Sequence, residues 1–300
     1  MRKAAERAFV TPQCLSDHIK RLEKTYGVPL FTRKPSLKLT PAGELLLEAV
    51  YQMQTVENDL ENTMNEIKGG TSGTINLGFN SSRARVILPR VLPQYSREYP
   101  NILLTVRSDD TRNMEEMLIK GDLDLFIGIN TATNPMFQKD QICTEDVYFI
   151  MTDQLMRQYE LEDYPACIQR YKTGIRLTDI EKYPVIRNLR NSTLSKLIND
   201  HANRDDILFH TVLSTSDYDT QIQLVGINYA AAFCPSLLLK RVEEANRIRV
   251  LDQQIYMFPL LGLEKALRNE FIYHKGIRCP NYLRRFMQLT KDTVNYSLAN

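Results

Sequence analysis

The chain has 300 residues, with 38 basic against 36 acidic side chains and 43% hydrophobic content. That length suits two or three units that each bury a core, and the composition is ordinary for a soluble globular protein. No apolar run reaches a membrane span and the basic start lacks a signal peptide's apolar core, so a cytoplasmic location is expected. The five cysteines (Cys14, Cys143, Cys167, Cys234, Cys279) are scattered without CxxC spacing, and the four histidines form no ligand pattern. Reduced thiols and no metal site follow. Without GxSxG, P-loop, HExxH or GxGxxG, the chain shows no catalytic motif and calls for no cofactor.

Two short helical patterns meet at a tight connection around Phe9 and Val10. Ala4, Ala5 and Ala8 give the first a small apolar face; Leu15, Ile19 and Leu22 give the second a buried stripe. Thr11 is placed to cap the second helix, and Pro12 occupies its first position, where a missing N–H is harmless. Gln13, Ser16, Asp17, Lys20 and Arg21 lie off the stripe, and a helix entering a major groove needs such a polar and cationic face. Residues from Gly27 to Gly43 supply a connection, a wing turning at Pro35 and Ser36, and a helix start at Thr40 and Pro41. On the wing, Arg33 and Lys34 join Lys20 and Arg21 as candidate phosphate ligands. Nine basic residues face three acidic ones over the first forty positions. Charge alone would mean a solvated helical surface; on a helix-turn-helix pattern with a basic wing it points to DNA.

From Pro41 to Lys68 the chain reads as one long helix. Leu46, Ala49, Met53, Val56, Leu60, Met64 and Ile67 alternate spacings of three and four, a heptad-like seam that wants a partner helix. Packing of that seam on the chain's own body is the alternative. The run GGTSG at 69–73 ends the helix and makes a hinge.

Beyond the hinge, strands and helices alternate. TINLGF is a strand, VILPRVLPQYSREYP helical, ILLTVRS a strand, TRNMEEMLIKG a helix and LDLFIGI a strand. This βαβαβ order predicts a parallel sheet with helices on its faces. A second block follows with VYFIMT, a helical stretch, the strand-like IRLTDI and PVIRNL, a helix, FHTVLST, a helix and NYAAAFCP, before a last strand near EFIYHKG and a last helix. Two α/β blocks with a cleft between them form the architecture of periplasmic-type ligand-binding domains. The expected fold is therefore α/β with an all-α amino-terminal module. Residues 1–44 form a winged helix-turn-helix (the helix-turn-helix proper in about 1–20), and 45–69 a linker helix carrying the heptad-like seam. Residues 73–300 form a two-subdomain effector domain of type 2 periplasmic-binding-protein architecture, divided at about 73–145 with 253–300, and 146–252.

The run AAERAFVT…LS…IKRLEKTYGVPLFTR…LTPAGE resembles the N-terminal signature of LysR-type transcriptional regulators, and the motif is long and specific in spacing. More loosely, INLGFNSSRARVILPRVLPQYSREYP, GDLDLFIGI and LVGINYAAAFCP are similar to that family's effector domain. Thr11 and Pro12 stand where the family usually has Ser-Gln, which moves the base-reading amide to Gln13. Asn228 and Ala230 stand where the family usually has glycines; Asn tolerates the left-handed region, Ala less so. The family has a whole helix before AAER, whereas Met1 sits almost on that motif. Without such a helix, Ala4, Ala8, Phe9, Leu15 and Ile19 are expected to lose part of their cover.

The resemblance implies a ligand-responsive DNA-binding regulator. It would be a homodimer or homotetramer joined through Leu46, Met53, Val56, Leu60 and Ile67, with double-stranded DNA and a small effector as partners and RNA polymerase as a further candidate. The alternative is a binding protein on the same scaffold without competent DNA binding. Loops at the carboxyl ends of parallel strands are the expected ligand sites. Asn80, Ser81, Ser82 and Arg83 follow the first strand, where Ser81 or Ser82 could equally cap the next helix. Thr111 with Asp110, and Asn130 with Thr131, follow the next two strands; Arg187, Asn188 and Asn191, then Thr215 and Ser216, are their counterparts in the second block. If Arg83 and Arg187 both face the cleft, an anionic effector is favoured; arginines at such edges are more often structural ion-pair partners.

Overall fold

Thr11 caps a helix as its sequence position implies: its hydroxyl accepts from Cys14 N at 3.1 Å, Pro12 follows at the first turn, and Gly27 closes the far end in the left-handed region (φ 70°). The computed structural model describes residues 2–32, 36–67, 72–250, 253–276 and 279–299. The chain divides into a unit running to Glu61 and a larger one that starts at Asn62 and holds the rest apart from Ile119–Gly121.

In the first unit, α1 (Arg2–Arg7) and α2 (Pro12–Tyr26) pack together, and the wing is an antiparallel pair, β1 (Phe31–Thr32) and β2 (Lys38–Leu39). Phe9 turns the corner between the helices with a left-handed backbone (φ 53°). Thr40 caps α3 (Pro41–Ile67), accepting from Gly43 N at 3.0 Å while donating to Pro29 O at 2.7 Å. The expected buried stripe of α2 is not buried: Leu15 and Ile19 are half-covered and Leu22 is exposed. Among the described residues of this unit, Ala5 and Leu30 are the buried hydrophobic ones, and Phe9 is 97% exposed, because no described element lies over that face. Arg33, Lys34, Pro35 and the hinge residues 69–71 lie outside the described residues.

The larger unit contains two five-stranded sheets. The first is built from β3 (Gly73–Phe79), α4 (Ser81–Glu98), β4 (Ile102–Ser108), α5 (Thr111–Ile119), β5 (Leu125–Ile129) and β6 (Phe137–Glu145). The second draws on β7 (Val147–Thr152), α6 (Asp153–Tyr159), α7 (Ala166–Lys172), α8 (Leu177–Ile180), β8 (Pro184–Arg187), α9 (Thr193–Arg204), β9 (His210–Ser214), α10 (Tyr218–Gly226) and β10 (Ala231–Pro235). A 3-10 turn (Ser236–Leu238), α11 (Leu239–Asn246) and β11 (Ile255–Pro259) complete it, and β12 (Leu267–His274) and α12 (Asn281–Ala299) return to the first. Strand orders are β4-β3-β5-β12-β6 and β11-β7-β10-β8-β9.

The βαβαβ start is parallel as the alternation requires, with β3 between β4 and β5. Asp124 secures it by accepting from Asn76 N at 2.7 Å. Three sequence expectations need correction. IRLTDI is a single helical turn, α8, because only Ile175 makes a bridge, to Leu260. The stretch between LDLFIGI and VYFIMT, which periodicity assigns to no element, is the polar, alternating strand β6. The returning boundary placed at about 253 falls after Pro259, because β11 pairs antiparallel with β7 of the second sheet. Asn228 does take the left-handed conformation (φ 63°), and its side chain accepts from the Thr152 hydroxyl and donates to Gln154 at 2.7 Å. Ala230 is fully buried, with no positive φ, so it fits without strain.

Candidate functional site

On α2 the exposed face carries Gln13, Asp17, Lys20 and Arg21, with Ser16 at its edge. The Gln13 amide donates to Asp17 at 3.3 Å, and the Lys20 ammonium lies 3.6 Å from the same carboxylate. In the free module Asp17 thus holds the Gln13 amide and pairs with the Lys20 charge, and a groove would have to exchange Asp17 for base edges and phosphates. Glu23 faces the other way and accepts from Leu30 N at 2.9 Å, tying α2 to the wing.

In the larger unit, residues following the strands of one sheet meet residues following those of the other. Asn191 Nδ2 is 3.5 Å from Asp110 Oδ2, and the Thr193 hydroxyl donates to Ile129 O at 3.3 Å. Arg85, on α4, reaches Asp217 Oδ1 at 3.2 Å and also bonds Asp219. Of the two serines offered as caps, neither serves: Asn80 caps α4, accepting from Ser82 N at 3.2 Å, and Ser81 to Arg83 lie within the first turn. Ser82 is buried and Ser81 exposed. Thr111 opens α5, where Asp110 accepts from Asn113 N at 2.9 Å.

Several candidate side chains already have structural partners. Asn130, left-handed at φ 48°, accepts from Arg268 N at 2.7 Å and donates to Ala266 O at 2.8 Å, pinning the end of β5 to the returning chain. The Thr215 hydroxyl accepts from Asp217 N at 3.3 Å. Thr131 is buried with its hydroxyl unpartnered, and Asn188 is buried beside Tyr218, whose hydroxyl it bonds.

The two arginines sit in different surroundings. Arg83 is buried: Nη2 donates to Glu145 at 2.6 Å and Nε to Asn269 at 2.8 Å. Burial opposes its charge, but Glu145 and Tyr218 outweigh that and raise its pKa. The second oxygen of Glu145 accepts from Leu237 N at 3.1 Å, so the pair bridges the two sheets. Arg187 turns along the second sheet, donating to Asn199 at 2.7 Å with its guanidinium 4.8 Å from the centre of the Phe209 ring. Burial, then Arg190, lowers its pKa. Arg83 is thus committed to Glu145, whereas Arg187 keeps a buried Nε without a hydrogen-bond partner.

Sequence reading missed Arg85, Tyr218 and Asp219. The acidic start of α10, Asp-Tyr-Asp at 217–219, was a legible signal, because carboxylates gather at helix N-termini. Cys143 lies near the Arg83–Glu145 pair, and burial followed by Glu145 pushes its thiol up to about 12. Among the described residues no cluster could hold a metal ion, and no helix is long and apolar enough to cross a membrane.

Residues 1–44 match the bacterial regulatory helix-turn-helix proteins of the lysR family, and residues 68–294 match the LysR substrate binding domain. The chain belongs to the LysR family. It is a DNA-binding transcriptional regulator with an effector-binding domain. YkuM, an uncharacterised HTH-type transcriptional regulator of Bacillus subtilis (strain 168), is 27% identical over 98% of this LysR chain and 92% of its own length. A full-length OxyR from Pseudomonas aeruginosa shares the fold, with a TM-score of 0.64 at 19% identity over 99% of this chain and 93% of that one. So does full-length CbnR, solved with its target DNA, with a TM-score of 0.55 at 17% identity over 97% and 93%.

Proposed function

We propose that this LysR regulator reads operator DNA with α2, acts as a dimer joined through α3, and takes a small polar effector where the strand-end loops of the two sheets meet. The observation that carries the reading is the capped, solvent-facing α2, which presents Gln13, Lys20 and Arg21 together. Gln13 is assigned to base reading; Lys20 and Arg21, with Arg33 and Lys34 of the wing, are assigned to phosphates. Met53, Val56, Leu60 and Met64 are exposed on α3 and leave the seam open to a partner helix; the Ile67 side chain lies outside the described residues. Asn80, Ser82, Thr111, Thr131, Asn188 and Thr215 are the proposed effector contacts, since they flank the points where the sheets' loops meet. No catalytic step belongs to this reading, and its setting is the cytoplasm, with operator DNA.

Footprinting of the full chain on the DNA flanking its own gene tests it. A protected site should weaken uniformly in Lys20→Ala, with the salt slope reduced by about 1, whereas Gln13→Ala should relax the preference at about one base pair. Equal, sequence-independent losses in both variants would remove α2 as the reader.

A further inference from the structure

Two arginines in the first turns of α4 tie the first sheet's lobe to the second, in opposite surroundings. Arg83 is sealed against Glu145, with side chains 2% and 0% exposed. Arg85 is half in solvent, and its partners Asp217 and Asp219 stand at the start of α10.

The partners of Arg85 are the informative part. Asp219 is also held within its own lobe by Arg241, through Nε at 3.1 Å and Nη2 at 3.0 Å. Asp217 is also held within its own lobe, accepting from the Thr220 hydroxyl at 2.7 Å and from Thr220 N at 3.3 Å. Each carboxylate therefore keeps a partner if Arg85 leaves, and Arg85 can hydrate. Separating Arg83 from Glu145, by contrast, would strand two buried charges.

We propose that Arg85 is an exchangeable clasp across the effector junction, holding the Asn80-capped start of α4 against the Thr215–Asp217 loop, while the Arg83–Glu145 pair is the fixed pivot. The inference rests on the effector site lying between those loops. Exposed ion pairs are weak and salt-screened, so closure maintained by this one is finely balanced, and a ligand with a modest preference for the closed form can tip it. Arg85 is thus a positioning residue: it sets how much effector is needed without forming the pocket.

The test uses the full chain with Cys14→Ser and Cys279→Ser, which removes the two half-exposed thiols. Spin labels are placed at Arg112→Cys on α5 and Lys196→Cys on α9, both exposed, and labelled protein is diluted into excess unlabelled chain so that intrachain distances dominate. No ligand is added. Arg85→Gln should lengthen the interlobe distance, raising the open fraction about threefold or more, as loss of a weak ion-pair network allows. Raising NaCl from about 0.1 to about 1 M, which shortens the screening length from about 10 to 3 Å, should reproduce that change in the parent and add nothing in Arg85→Gln. Arg241→Gln should leave the distance short. A distance indifferent to both Arg85→Gln and salt overturns the clasp. Opening by Arg241→Gln as large as that by Arg85→Gln also overturns it, showing that the charges only position α10. Because no effector enters the measurement, failure of the clasp leaves the effector reading standing, and failure to find an effector leaves the clasp result intact.

Discussion

Arg83 Nη2 lies 2.6 Å from Glu145 Oε1, and the two residues belong to α4 and to the last position of β6 before the chain crosses into the second sheet. Asn269, just after the chain has crossed back, accepts from Arg83 and donates to Glu145. Leu237 N adds a bond from the second lobe. One buried charge pair thus touches both crossings.

Removing one partner leaves the other charge buried, so Glu145→Gln and Arg83→Met should each destabilise the larger unit by about 3–5 kcal/mol. Arg83→Met combined with Glu145→Leu should recover much of that loss. Calorimetric unfolding of the full chain reads both; equal Tm values for the single variants and the parent would show that the pair contributes little.

Glu160 gives a pH dependence. Burial opposes its charge, yet bonds from Lys182 at 2.7 Å, from Tyr171, and from Tyr183 at 2.6 Å outweigh burial and hold the carboxyl below the usual range. A depressed folded pKa means that the stabilisation is present above the unfolded value, near 4.3, and is lost as pH falls through the lower folded value. Tm should decline on acidification below about pH 5, and Glu160→Gln should flatten that part of the profile. An unchanged slope would assign the decline to other carboxylates.

Asn228 holds a left-handed backbone and bonds Thr152 and Gln154. Asn228→Ala should destabilise by about 1–2 kcal/mol, and Asn228→Gly by less, because glycine relieves the backbone portion. Identical losses would mean that the side-chain bonds alone matter.

Leu60 is 55% exposed on α3. If the seam joins two copies, Leu60→Asp places carboxylates in the interface, a penalty of several kcal/mol, and sedimentation should show monomer or aggregate. A parent-like oligomer would place the interface elsewhere.

Thermal-shift screening with uncharged polar metabolites should find a stabilising compound whose shift falls in Ser82→Ala and Thr215→Val. The shift should survive in Arg187→Ala, since that side chain turns to Asn199 and Phe209. A shift abolished only by Arg187→Ala would put the ligand on the other face of the sheet.

Local chemistry was legible where it was carried by neighbours in sequence. Thr11 and Pro12, Thr40 and Pro41, and the alternation from Gly73 to Ile129 each express a short-range rule about caps or periodicity. The effector loops could be named because strand ends are positional. What each side chain does there was not legible: Arg83 and Arg85 are two residues apart in one helix, yet one is buried with Glu145 and the other meets Asp217, partners 62 and 132 positions away. Strands β6 and β11 carry little signal in the sequence for a related reason. They are short or polar in pattern, and their pairing with β12 and β7 gives them their extended form.

The last strand, β12, lies between β5 and β6 inside the first sheet, not at its edge. During synthesis the helix-turn-helix leaves the ribosome before either sheet, while β5 and β6 must wait with unfilled hydrogen-bonding edges until the whole second lobe and β12 have been made. Folding of the first lobe is therefore a late event, and the second lobe, whose strands are complete at Pro259, can form before the lobe that precedes it in sequence. A nonsense codon shortly before Leu267 would release a chain with its DNA-reading helix already made, β5 left as an open edge and β6 unpaired, a species prone to aggregate rather than to act as a constitutive regulator.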